Sequence, residues 1–178
     1  MILAAVALLA IGLYMGRNVL KSVMIDGNDA LNNSNVRAFL AMIREFESRG
    51  KYNVIYGGST FNDYSKHPQV RIPFFNPRTQ KNDISTAAGA YQITWPTWNT
   101  ILNNAGSGDF SPASQDAAAV WLLKLNGSLA PIVEGDFDTA IKASSRTWAS
   151  LPYTTSKQNH VSVEKAQMIY LKNGGVFA

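Results

Sequence analysis

Beyond residue 34, proline and glycine cut the chain into short segments, which limits it to brief helices and a small extended element. Asn35 is placed to cap a helix over residues 36–47. Residues 52–61 carry Gly57-Gly58 between apolar residues and read as a short extended piece with a turn. Residues 66–82 contain Pro68, Pro73 and Pro77 and read as a loop. Residues 87–93, and 98–102 beyond Pro96, suggest two short helices. Ser111-Pro112 opens another helix, through residue 125, with proline at an early position. Further helices are expected over residues 136–148, after Gly135, and 161–172, stopped by Gly174-Gly175. The predicted fold is α+β and mostly helical, with one small hairpin, over residues 35–178.

Two shorter regions precede that domain. Residues 1–15 are almost wholly apolar, but the run falls short of the roughly 20 residues that span a bilayer. It spans only if a helix continues past Arg17, whose long side chain can snorkel. A cleaved signal peptide is the rival, yet no Lys or Arg precedes the apolar core. Arg17 and Lys21 follow the run instead and favour keeping the downstream chain on the cytoplasmic side or inside a particle. A third reading is a buried helix within a larger assembly. We expect residues 1–25 to form a hydrophobic membrane-anchor or signal-anchor helix. Residues 26–34, rich in Asn, Asp and Gly, read as a linker.

Composition narrows the chemistry. Of the 178 residues, 46% are apolar and 16% charged, which excludes a disordered chain. Cysteine is absent, so disulfides, thiol nucleophiles and cysteine-built zinc sites are excluded. The two histidines, His67 and His160, lie far apart and read as structural or solvent-exposed; no metal and no cofactor is expected. A net charge of +4 suits an anionic polymer. Without a Lys/Arg run, nucleic acid ranks last among such polymers.

The most informative residue is an acid in an apolar stripe. At about 100° per residue, Val36, Phe39, Leu40 and Ile43 define the core-facing side of the first domain helix. Glu47 falls in the middle of that stripe, whereas Glu45 falls opposite and can pair with Arg49. An isolated charge on the apolar side is unfavourable, so the site should raise the Glu47 pKa. A carboxylic acid kept protonated near neutral pH suits a general acid. The plainer alternatives are a frayed helix end or a buried arginine partner.

Residues 53–68, NVIYGGSTFNDYSKHP, closely resemble the lambda-type phage endolysins. Further matching motifs are Ser85-Thr86, Gly89, Tyr91-Gln92, Phe110-Ser111-Pro112, Ser114-Gln115-Asp116-Ala117 and Trp148-Ala149-Ser150-Leu151-Pro152. The resemblance covers roughly residues 36–175 and implies a lysozyme-like fold and lytic transglycosylase activity on peptidoglycan glycan strands, with Glu47 as the essential acid. Ser48 departs from the family's glycine, the loop from Glu47 to Gly57-Gly58 is shorter, and the stretch after Pro152 lacks a glycine-rich loop. By the same likeness Tyr91 and Gln92 would line the cleft, with Gln92 reaching a sugar group; the alternative is that both pack the interior. Ser85, Thr86, Asp63, Tyr64 and Tyr153 complete the candidate substrate-binding set, though Asp63 also fits a turn cap. Trp95, Trp98, Trp121 and Trp148 read as core. The leading segment resembles the releasable signal anchors of some endolysins. It implies a membrane-anchored protein, at the host inner membrane or in a virion, acting in lysis or entry, with other virion proteins as candidate partners. A hydrolytic muramidase with Asp63 or Asp83 as second carboxylate, and a non-catalytic glycan-binding protein, are the alternatives.

Overall fold

A computed structural model describes residues 27–76, 79–105, 108–154 and 160–178. Seven helices and one two-stranded sheet are present among them. The order is α1 (Gly27–Asn32), α2 (Ser34–Ser48), β1 (Ile72–Asn76), β2 (Lys81–Ser85), α3 (Trp95–Ala105), α4 (Pro112–Leu125), α5 (Leu129–Glu134), α6 (Phe137–Ser144) and α7 (Val163–Lys172).

Helix α2 is the central element, contacting α1, α5 and α7. Val36, Phe39, Leu40 and Ile43 are all buried, as the periodicity requires, and Ala38 and Met42 widen the buried stripe. Phe39 meets the rings of Phe137 on α6 and Tyr170 on α7 edge-on, at 6.0 and 6.2 Å. The N-cap is Asn33, whose side chain accepts from the Val36 amide at 3.2 Å. The expected cap, Asn35, instead ties the far end of the chain, accepting from the Val176 amide at 2.8 Å.

Several expectations are corrected. Residues 27–32 are not linker but helix α1, which carries Ala30 into the core between α2 and α4. The segment read as a loop, residues 66–82, holds β1 and the start of β2, which pair antiparallel with Phe74 opposite Asp83. Pro73 is tolerated because each strand of a two-stranded ribbon is an edge and needs no second ladder of amides. The expected extended piece at residues 52–61 is reduced to a Val54–Thr60 bridge around a turn, where Gly57 and Gly58 take φ of 93° and 97°. Residues 87–93 are turns rather than helix, with Gly89 (φ 79°) and Gln92 (φ 49°) both left-handed. A Cβ on Gly89 would stand 2.3 Å from Gln115 Oε1, so the close approach there requires glycine. Among the described residues no helix is long and apolar enough to cross a membrane; the anchor expected at residues 1–25 lies outside them.

Trp98 and Trp148 are fully buried, and Trp95 and Trp121 pack partly buried against the core. His67 is buried between Phe110 and Trp95, its Nε2 on the Ile93 carbonyl at 2.9 Å and its Nδ1 accepting from the Gln69 amide. Burial holds its pKa down at about 4.

Candidate functional site

Glu47 occupies the last turn of α2 and is 5% exposed. The helix ends directly after it: Arg49 adopts a left-handed conformation (φ 56°), its amide donates to the Arg44 and Glu45 carbonyls, and Gly50 follows at φ 77°. Arg49 is therefore turned out of the helical course, and the expected Glu45–Arg49 pair is absent among the described ion pairs.

The partner of Glu47 comes from a distant segment. Ser150, fully buried in the turn between α6 and α7, donates its hydroxyl to Glu47 Oε1. Glu47 Oε2 is buried with no protein partner. Burial, only partly opposed by the Ser150 hydrogen bond, pushes the Glu47 pKa up to about 8. Among the described residues no arginine neutralises the group: Arg44, on the same helix, is turned to Asp116 at 3.2 Å.

A cavity of about 470 Å³ opens beside this carboxyl. Phe46, Glu47 and Ser48 line it from α2, Val54 and Gly58 from the glycine turn, and Val161 from just before α7. The size is that of a small-ligand site. Ser48 carries its own local bond, donating to the Arg44 carbonyl at 3.1 Å. The arrangement can hold a neutral carboxylic acid, one oxygen buried without a partner, in a residue that lines a groove, and can stabilise its anion through Ser150.

The other sequence-derived candidates do not line this cavity. Gln92 is fully buried behind the Val54 wall, donating to the Val54 carbonyl at 3.2 Å and the Gly89 carbonyl at 3.0 Å, while its Oε1 has no partner. Tyr91 is wholly buried, with its hydroxyl on Asp116. Ser85, at the end of β2, accepts from the Ala87 amide, and Thr86 accepts from the Trp95 amide at the start of α3. Asp63 is exposed and caps a turn by accepting from the Ser65 amide at 2.8 Å; the Ser65 hydroxyl, together with that amide, lowers its pKa. Tyr64 packs edge-on against Phe61. Tyr153 is 48% exposed, its ring 5.2 Å from the Lys142 ammonium.

Sequence reasoning missed Ser150 as the acid's partner, although the surrounding Trp148–Pro152 motif had been noted. It also missed Gln115, which donates to the Tyr52 and Phe110 carbonyls and accepts from the Ala90 amide, so that one side chain fastens three loops beside the site.

Residues 37–177 match the family model for endolysins. The endolysin of Escherichia phage lambda is 39% identical over 129 residues, covering 67% of this chain and 78% of that protein. The endolysin of Escherichia phage P2 is 35% identical over 159 residues, covering 80% and 94%. Phage lambda lysozyme complexed with a chitohexasaccharide superposes with a TM-score of 0.74 at 35% identity, over 82% of this chain and 97% of that one. A second structure of lysozyme from phage lambda gives 0.68 at 34% identity. These findings correct the expected membrane-anchored localisation. The match to the endolysin family lies over residues 37–177, both relatives are endolysins, and among the described residues no helix is long and apolar enough to cross a membrane.

Proposed function

The chain belongs to the endolysin family, with the fold of phage lambda lysozyme, and is a peptidoglycan-cleaving enzyme. From that premise we propose that it is a lytic transglycosylase in which Glu47 is the catalytic acid and base. The observation that carries the reading is the Glu47 carboxyl itself: buried in a residue that lines the cavity, pKa pushed up to about 8, one oxygen on Ser150 and the other without a partner.

Cleavage of the MurNAc-β-1,4-GlcNAc bond begins with proton transfer from Glu47 to the leaving oxygen as positive charge develops at the anomeric carbon. The resulting carboxylate, stabilised by the Ser150 hydroxyl, takes the proton of the sugar's own 6-hydroxyl as that oxygen attacks. A 1,6-anhydro ring closes, and Glu47 regains its proton. Because the nucleophile is already attached to the substrate, its attack is effectively unimolecular. Gln92, with its unused Oε1 behind the cavity wall, is the sequence-derived residue best placed to steady the Val54 side of the groove.

The two acids considered as hydrolytic partners support this reading by their positions. Asp63 caps its own turn, and Asp83 on β2 is engaged by Asn76 and the Ile84 amide; neither lines the cavity. One observation favours a hydrolytic alternative: Glu45, exposed on the cavity rim, is a second carboxylate on the same helix. Mass spectrometry of muropeptides released by the full chain decides between them. Anhydro-muramyl ends are expected; reducing ends would overturn the transglycosylase assignment in favour of hydrolysis.

A further inference from the structure

The cavity rim carries more positive charge than an uncharged glycan can use. Arg49 and Lys51, just past the end of α2, and Lys165, in the first turn of α7, line the same cavity as Glu47. All three are exposed, and none has an ion-pair partner among the described residues. The opposing charge on the rim is Glu45, since Glu47 keeps its proton below about pH 8.

Local structure accounts for only part of this. Cations just beyond a helix C-terminus complement its dipole, which is a sufficient reason for Arg49 and Lys51. Lys165 has the opposite location. It sits in the first turn of a helix, where the dipole disfavours a positive side chain, and its ammonium is held by no neighbouring carboxylate. It lines the same cavity as Arg49 and Lys51, so the end of one helix and the start of another both bring positive charge to the groove.

We infer that Arg49, Lys51 and Lys165 form a subsite for the carboxylates of the peptide stem carried by the glycan strand. This deepens the function proposed above and rests on it. In peptidoglycan the stem hangs from the lactyl group of the same muramic sugar whose anomeric bond is cleaved. A strand seated with that bond at Glu47 therefore brings its stem carboxylates to the mouth of the cavity. The three cations add affinity for stem-bearing strands, and their long reach suits a flexible peptide better than a fixed sugar hydroxyl.

The same chemistry has a second source, the lactyl carboxylate exposed when stems are removed, so three ligands separate the cases. Full-chain protein carrying Glu47→Gln, to prevent turnover, is titrated with soluble stem-bearing strands, with the same strands stripped by an amidase, and with chitohexasaccharide. The titrations are repeated after adding Lys51→Met and Lys165→Met, which keep the apolar stems of both side chains. The expected result is a roughly fivefold loss of affinity for stem-bearing strands, fading at about 0.5 M salt, with a smaller loss on stripped strands and on chitohexasaccharide. Equal losses on all three ligands, or no loss, overturn the subsite. Equal losses on stem-bearing and stripped strands, with chitohexasaccharide spared, overturn the stem in favour of the lactyl carboxylate. Failure of the proposed function appears separately, as absence of released muropeptides with the unmutated protein.

Discussion

Helix α2 addresses two carboxyl groups within one turn, and they are treated in opposite ways. Arg44 points to Asp116 on α4, which also receives the hydroxyls of Tyr52 (2.9 and 3.0 Å to its two oxygens) and Tyr91. Glu47, three residues on, receives one hydroxyl, from Ser150, and leaves an oxygen unengaged. Asp116 is surrounded by donors, and burial together with its charge pushes the Tyr52 pKa up to about 12. Glu47 is short of donors and buried, so its own pKa rises instead. Asp116 thus fastens α2 to α4, whereas burial with a single donor raises the Glu47 pKa.

The largest expected effect tests the poised side. Glu47→Gln should lower peptidoglycan cleavage by roughly 10³-fold or more, because an amide supplies no acidic proton. It should also raise stability near neutral pH. Below about pH 4.5 the acid is protonated in both folded and unfolded chains; between there and about pH 8 only the unfolded chain releases the proton. Stability therefore falls as pH rises through that window, and the amide removes the fall, a gain of roughly 2–4 kcal/mol at pH 7.5. Thermal melts of both proteins at pH 4.5 and 7.5 check this. Equal melting temperatures at both pH values would break the contrast between the two acids.

Asp116→Ala tests the fastening side. Removing the acceptor strands the Arg44 guanidinium and two tyrosine hydroxyls, at a loss of about 2–3 kcal/mol. The folded variant should keep its rate within about threefold at a temperature well below its melt. A stable but inactive variant would show that the Arg44–Asp116 network belongs to the chemistry rather than the scaffold.

The poised acid was legible in the sequence for a definite reason. Four apolar residues at helical spacing fix a face, and an acid on that face is an anomaly visible without coordinates. Helix α4 was legible too, because Ser111 accepts from the Ser114 amide and Pro112 needs no amide partner in the first turn. Elsewhere local signals misled. Pro73 hid β1, and α5, which carries Pro131 early where its missing amide matters little, drew no expectation. Asn, Asp and Gly around residues 26–34 masked α1, whose burial depends on neighbours distant in the chain. Ser150 lies 103 residues from its partner, and no periodicity or spacing carries a contact of that separation.

Ser150→Ala should give the smallest effect and the sharpest test of how one donor sets the Glu47 proton. The hydroxyl stabilises the anion and so lowers a pKa that burial raises. Without it the pKa climbs further. Cleavage by the unmutated protein should decline above about pH 8 as the acid loses its proton; in the variant that alkaline limb should move up by about half to one pH unit, one lost hydrogen bond's worth. The rate at neutral pH should drop a few-fold, because the same hydroxyl steadies the anion formed when the leaving sugar takes the proton. A variant that merely loosened the fold would lower the rate at every pH and leave the limb where it was. A pH–rate profile of kcat/KM for the two proteins distinguishes these outcomes. An unmoved limb would mean that Ser150 only packs against the acid, and that the raised Glu47 pKa rests on burial alone.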